Sequence, residues 1–144
     1  MANKRQQIVS AIVDLLKTYL NGNSPYTTNV YDNVKGQQVF WDEVQDYPFI
    51  CVFTGGESRE YQPGGFKWAF LTVNIRIYVQ DENTRDRLEE IFDDIELILD
   101  NNDYLTVDGN DLSTDIRIIS LSDDEGVLQP LGVGEIALEV RYEV

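Results

Sequence analysis

Between Phe66 and Asp100 the hydrophobic pattern changes period once, and the rest of the chain is organised around that change. From Lys67 to Val79 the odd positions are Ala69, Leu71, Val73, Ile75, Ile77 and Val79, and the even ones are Trp68, Phe70, Thr72, Asn74, Arg76 and Tyr78. Period two over this length predicts a strand with one wholly apolar face. Beyond a turn at Gln80 to Glu82, the residues Leu88, Ile91, Phe92, Ile95, Ile98 and Leu99 fall at helical spacing, with Asn83 or Thr84 as the cap. This stripe packs most simply on the odd face of the strand. Phe66, Trp68 and Phe70 are then left on the other side, to be covered either by a second layer of the same chain or by another subunit.

Upstream, Ile8, Ala11, Ile12, Leu15, Leu16 and Tyr19 predict an amphipathic helix, stopped by Asn21-Gly22-Asn23-Ser24-Pro25. Thr27 to Val34 and Gln37 to Val44 read as short extended pieces around Lys35-Gly36. Phe49 to Phe53 is a nearly continuous apolar run, the pattern of a strand buried on both faces, with Pro48 at its start. From Thr54 onward, Gly55, Gly56, Glu57, Ser58, Arg59, Glu60, Tyr61, Gln62, Pro63, Gly64 and Gly65 read as a protruding loop, too long for a tight hairpin. Such a loop is either plain connection or a segment that orders on a partner, with Arg59 and Tyr61 as contact residues. Downstream, Asp100 to Asp111 is an acidic link with a turn at Asp108-Gly109-Asn110, Asp115 to Leu121 is a strand, and Ser122 to Gly134 is a second long connection. In the last strand Ile136, Leu138, Val140, Tyr142 and Val144 form an apolar face, opposite Glu135, Ala137, Glu139, Arg141 and Glu143. The expected fold is α+β: one domain over residues 1–144, a mostly antiparallel sheet packed against two helices.

Composition narrows the chemistry. With 26 acidic and 11 basic residues the formal net charge is −15, which disfavours outward binding to nucleic acid or anionic lipid. The chain has no histidine, hence neither the commonest general base nor the commonest zinc ligand. Its single Cys51 sits in an apolar strand and reads as a buried small hydrophobe. No run approaches membrane-spanning length, and Gln6, Gln7 and Asp14 interrupt any signal-peptide core. The acid clusters Asp100/Asp103, Asp108/Asp111 and Asp123/Asp124/Glu125 invite a metal reading. Aligning Gly109 or Gly126 with the glycine of a calcium loop, however, puts Tyr104 or Leu121 at the first ligand position. Asp93 and Asp94, off the apolar stripe, read as part of a solvated helical face. Gly132-Val133-Gly134 is too short for a dinucleotide fingerprint and reads as flexible backbone. No catalytic, cofactor or metal residue is expected, and an enzyme is not.

An N-terminal helix, then "YPFICVFTGGE", then "FKWAFLTVNIRIYVQDENTRDRLEEIFDDIELIL", then closing strands ending in "EIALEVRYEV" together resemble the tail terminator, or tail-completion, proteins of long-tailed bacteriophages. The resemblance rests on element order and apolar pattern over most of the chain. It implies a virion structural protein, assembled in the host cytoplasm, that forms a hexameric ring on the tail tube protein, ends tube polymerisation and meets a head-closure or neck protein. DNA would pass through the ring without specific binding. Trp41, Phe66, Trp68, Phe70 and an edge strand near the C-terminus are the candidate subunit interfaces, and Gly55 to Gly65 the candidate partner-contact loop. Two alternatives share these features: a head-closure or connector protein of the neck, and a monomeric ligand-binding α+β domain, which would cover Phe66, Trp68 and Phe70 within its own chain.

Overall fold

A five-stranded sheet carries both helices on one of its faces. The computed structural model describes residues 3–22, 25–26, 28–102, 105–107, 110–111, 113 and 115–144. In chain order the elements are α1 (Lys4–Tyr19), β1 (Val34–Lys35), a 3-10 turn (Trp41–Glu43), β2 (Phe49–Tyr61), β3 (Lys67–Gln80), α2 (Thr84–Asn101), β4 (Thr106–Val107), β5 (Asn110–Asp111), β6 (Asp115–Asp123) and β7 (Leu131–Glu143). Strand order is β1-β2-β3-β7-β6, with β1 parallel to β2 and every other neighbour antiparallel; β4 and β5 form a separate ladder. The architecture is the expected α+β one.

The strand and helix that the change of period predicts are β3 and α2. Ala69, Leu71, Val73, Ile75, Ile77 and Val79 of β3 are buried, and they share one core with Leu88, Ile91, Phe92, Ile95, Ile98 and Leu99 of α2 and with Ile8, Ile12 and Leu16 of α1. Asn83 caps α2, its side chain accepting from the Asp86 amide at 3.2 Å. At α1, Asn3 and Gln6 form a reciprocal capping box, each side chain accepting from the other's amide at 2.9 Å. Burial of Ile95 or Ile98 is worth about 1.5–3 kcal/mol each, so the two helices are held chiefly by this core.

Three expectations are corrected and one is sharpened. The stretch from 54 to 65 is not an irregular loop: β2 runs on through a bulge at Gly55 and Gly56, pairing Glu57 with Leu71 and Tyr61 with Lys67, and only 62–66 form the turn. Gly64 and Gly65 supply its positive φ angles. The edge strand near the C-terminus is β6, since the last strand, β7, lies between β3 and β6. β7 starts at Leu131, so Gly132 and Gly134 are strand residues. A Cβ at Gly134 would lie 2.7 Å from Phe92 Cζ, and one at Gly132 would lie 2.8 Å from Thr84 Cβ; these glycines let α2 approach the sheet. Finally, Asp94 is buried, and its carboxylate accepts from both the amide (3.0 Å) and the hydroxyl (2.6 Å) of Thr28, tying the segment after α1 to α2. Of the two extended pieces expected before β2, only Val34–Lys35 pairs with the sheet. Thr27, Asn23 and Ser24 lie outside the described residues, as do Asp103, Tyr104, Asp108 and Gly109.

Candidate functional site

The sheet face away from the helices is open along most of its length. At one end it is covered by the segment before β2: Val39 and Val44 pack with Phe49, Cys51 and Tyr78, and the Tyr78 hydroxyl donates to the Val39 carbonyl at 2.5 Å. Burial pushes the Cys51 thiol and the Tyr78 phenol above their ordinary pKa values, so both stay neutral and neither is an activated nucleophile. Further along the face, Arg76 lies over the Phe53 ring at 5.0 Å and pairs with Glu135 at 3.2 Å.

At the other end no layer built of the described residues covers the aromatic side chains. Phe66 meets Trp68 edge to face, with centroids 4.8 Å apart, and the Arg141 guanidinium stacks on Trp68 at 4.5 Å. Phe66, Trp68 and Phe70 are half-buried by one another and by β7 side chains such as Arg141, so the face presents aromatic rings edged with charge. Trp41 is not brought to them. It sits, 54% exposed beside a 57% exposed Phe40, in the 3-10 turn of the segment that covers the Tyr78 end. At strand rise, that end is about 26 Å from Phe70.

Around the corner from this aromatic end, β2 brings the proposed contact residues into an ion-pair cluster on the helix side. Glu57, whose side chain is only 11% exposed, accepts from Arg59 and Arg5 and from the Tyr142 hydroxyl. Burial pushes the Glu57 carboxyl up, but the hydrogen bonds from Tyr142 and Arg59 and the charges of Arg59 and Arg5 outweigh it, holding the carboxyl below the usual range. Burial, the Glu57 hydrogen bond and the Glu57 charge push the Tyr142 phenol up. Lys4 donates to the Glu143 carbonyl at 2.6 Å, and Lys67 lies over the Tyr61 ring at 5.1 Å. Lys4, Arg5, Arg59, Lys67 and Arg141 thus gather at one end of a chain that has only 11 basic residues. The Arg5–Glu57–Tyr142 contact left no trace in the sequence, since its members come from three distant elements. The Trp68–Arg141 stack would have been legible once β7 was known to lie beside β3.

The acidic cluster Asp123, Asp124 and Glu125 has a structural account. In the turn between β6 and β7, Asp123 accepts from the Glu125 amide at 2.8 Å and Asp124 from the Leu128 amide at 3.2 Å, so these carboxylates shape the turn. They line an open cleft of about 550 Å³ with Arg85 and Glu89 of α2. No group of three or more metal-binding side chains converges among the described residues, and none of the described helices is long and apolar enough to cross a membrane.

Among the described residues, three groups of side chains stand out: an aromatic sheet end, a second exposed aromatic pair and a cationic corner. Residues 2–144 match the family model described as Bacteriophage Tail Tube Terminator Protein. The chain is 33% identical, over 150 aligned positions, to the tail tube terminator protein p142 of Escherichia phage T5, with 96% of this chain and 93% of that protein aligned. A chain in the solved virion of a native gene transfer agent particle shares the fold, with a TM-score of 0.65 at 10% identity over 95% of each chain. Because the family match runs through α1, the whole sheet and α2, and the T5 relative aligns with 96% of the chain, the assignment holds for the fold as a unit: the chain belongs to the bacteriophage tail tube terminator protein family.

Proposed function

We propose that this protein works as one domain over residues 1–144, forming a closed ring, hexameric by family resemblance, that caps the tail tube, ends its polymerisation and joins the tail to the neck. The observation that carries the reading is the family match across residues 2–144. Its role is structural rather than catalytic, exerted in the virion tail after assembly in the host cytoplasm. A closed ring needs two different surfaces per subunit that fit each other. Trp68 and Phe70, with Phe66, suit one such surface, because aromatic side chains beside arginine are the composition of interface centres. Trp41 with Phe40 suits a second contact at the far end of the same face. The hairpin end from Gly55 to Gly65, now a stiff strand pair rather than a loop, is suited to meet the tail tube protein or the neck protein. The net charge of −15 would keep DNA passing through the ring from adhering to it.

Polymerising purified tail tube protein with and without this chain tests the proposal. Shorter tubes bearing an end ring in electron micrographs are the expected result. Tubes of unchanged length with bare ends would reject it.

A further inference from the structure

The five-stranded sheet is open at both sides, and its two outer strands differ in how they are protected. β1 covers the outer side of β2 only at Ile50 and Cys51; from there to Tyr61, no strand pairs with that side among the described residues. On the far side, β6 is a nine-residue outer strand whose described partners all lie on β7. Exposed edges are templates for pairing, and monomeric proteins blunt them with lysine, proline, bulges or very short strands. β6 has neither lysine nor proline. Its charges, Asp115, Arg117 and Asp123, sit toward the ends, and Asp115 and Arg117 pair with each other at 2.8 Å. Between them Ile118 to Ser122 carry no charge, and Ile119 and Leu121 are 60% and 45% exposed. The one protective device is the bulge between Ile118 and Ser120.

We propose that the outer edge of β6 pairs antiparallel with the outer edge of β2 in a neighbouring copy of this chain, continuing the sheet from subunit to subunit. The inference rests on the ring reading above and adds a main-chain contact between neighbouring subunits to the aromatic surfaces named there. Strand direction supports it. β2 and β7 run one way, β3 and β6 the other, as successive antiparallel pairings require. A rotation about an axis roughly along the strands keeps those directions, so β6 of one copy meets β2 of the next antiparallel, in the ladder geometry of the sheet's long strands. The free stretch of β2, from Phe53 to Tyr61, matches β6 in length, and each contains one bulge. Pairing β6 with itself about a two-fold axis would satisfy that edge but leave β2 open and end the assembly at two copies.

Single-cysteine variants decide between these arrangements, since the native Cys51 is buried. Ile119→Cys is mixed, on tail tubes, with Ser58→Cys or Glu60→Cys, and oxidised. The expected result is a disulfide-linked dimer in at least one mixture and none from any variant alone; Val127→Cys, in the exposed β6–β7 turn, should give none in the same mixtures. A covalent dimer from Ile119→Cys alone would show β6 pairing with itself and overturn the proposal. So would rings of wild-type mass with no cross-link in either mixture. Wild-type protein that forms no ring on tubes would remove the ring reading itself, a failure told apart by measuring the wild type first.

Discussion

Glu57 is the one carboxylate that pairs with both Arg5 and Arg59 of the cationic corner. Its carboxylate is nearly buried and takes hydrogen bonds or ion pairs from Arg5 on α1, Arg59 on its own strand and Tyr142 on β7, so one side chain joins three elements. Its pKa is held below the unfolded value, so its contribution is fully present above the ordinary carboxylate range and is lost as pH falls through the folded value. Glu57→Gln keeps the size and removes the charge. It should cost about 1–3 kcal/mol at neutral pH and flatten the acid side of the stability curve, both read by urea denaturation between pH 3 and 8. A variant that loses stability in acid as steeply as the wild type would show that Glu57 does not carry this dependence. Asp94 is a second such residue. Asp94→Ala leaves the buried Thr28 amide and hydroxyl without that acceptor, and a loss of about 2–4 kcal/mol in denaturant unfolding is expected. The sequence placed Asp94 on a wet helix face because helical spacing locates a residue relative to its own stripe. It carries no information about the segment near Thr28 that folds over it.

At the scale of elements, the closeness of α2 to β7 is set by two missing side chains. Gly134→Ala puts a methyl against Phe92 Cζ and Leu88 Cδ2, at 2.7 and 2.9 Å, so the helix must shift or the Phe92 ring must turn. The expected loss is about 1–3 kcal/mol in thermal or denaturant unfolding, and an unchanged midpoint would mean that the helix yields freely. The elements were legible where one period ran uninterrupted. β3, α2 and the alternating half of β7 needed only the burial of one face to fix their type. β2 was cut short because Gly55 and Gly56 read as loop, whereas a bulge lets a strand pass through such a pair and keep pairing to Tyr61. Gly132 and Gly134 were misread for the same reason: glycine signals a missing Cβ, and only the packing tells whether the backbone is loose or tightly approached.

For the whole molecule, the layout of the sheet decides which surfaces remain for partners. Both helices lie on one face, and among the described residues the other is covered only near Tyr78, so the aromatic end with Phe66, Trp68 and Phe70 meets no second layer there. Period two revealed that these residues share a face, but not that Arg141 stacks on one of them or that Trp41 sits at the far end. Those depend on pairings between distant strands. Trp68→Ala or Phe70→Ala should therefore weaken assembly more than folding. Sedimentation should show the loss of higher-mass species while the unfolding midpoint moves little; a large loss of monomer stability with assembly unchanged would place these side chains in the core instead. Excising Ser58 to Gln62 would not be a neutral trimming, because Ser58 to Tyr61 pair with β3, so point substitutions are the proper probe of that end.

The most direct test of the account is the mass of the purified protein by light scattering, across concentration, with and without tail tubes. A hexamer is expected, formed either free or on the tube. A strict monomer under both conditions, with no tube binding, would contradict it.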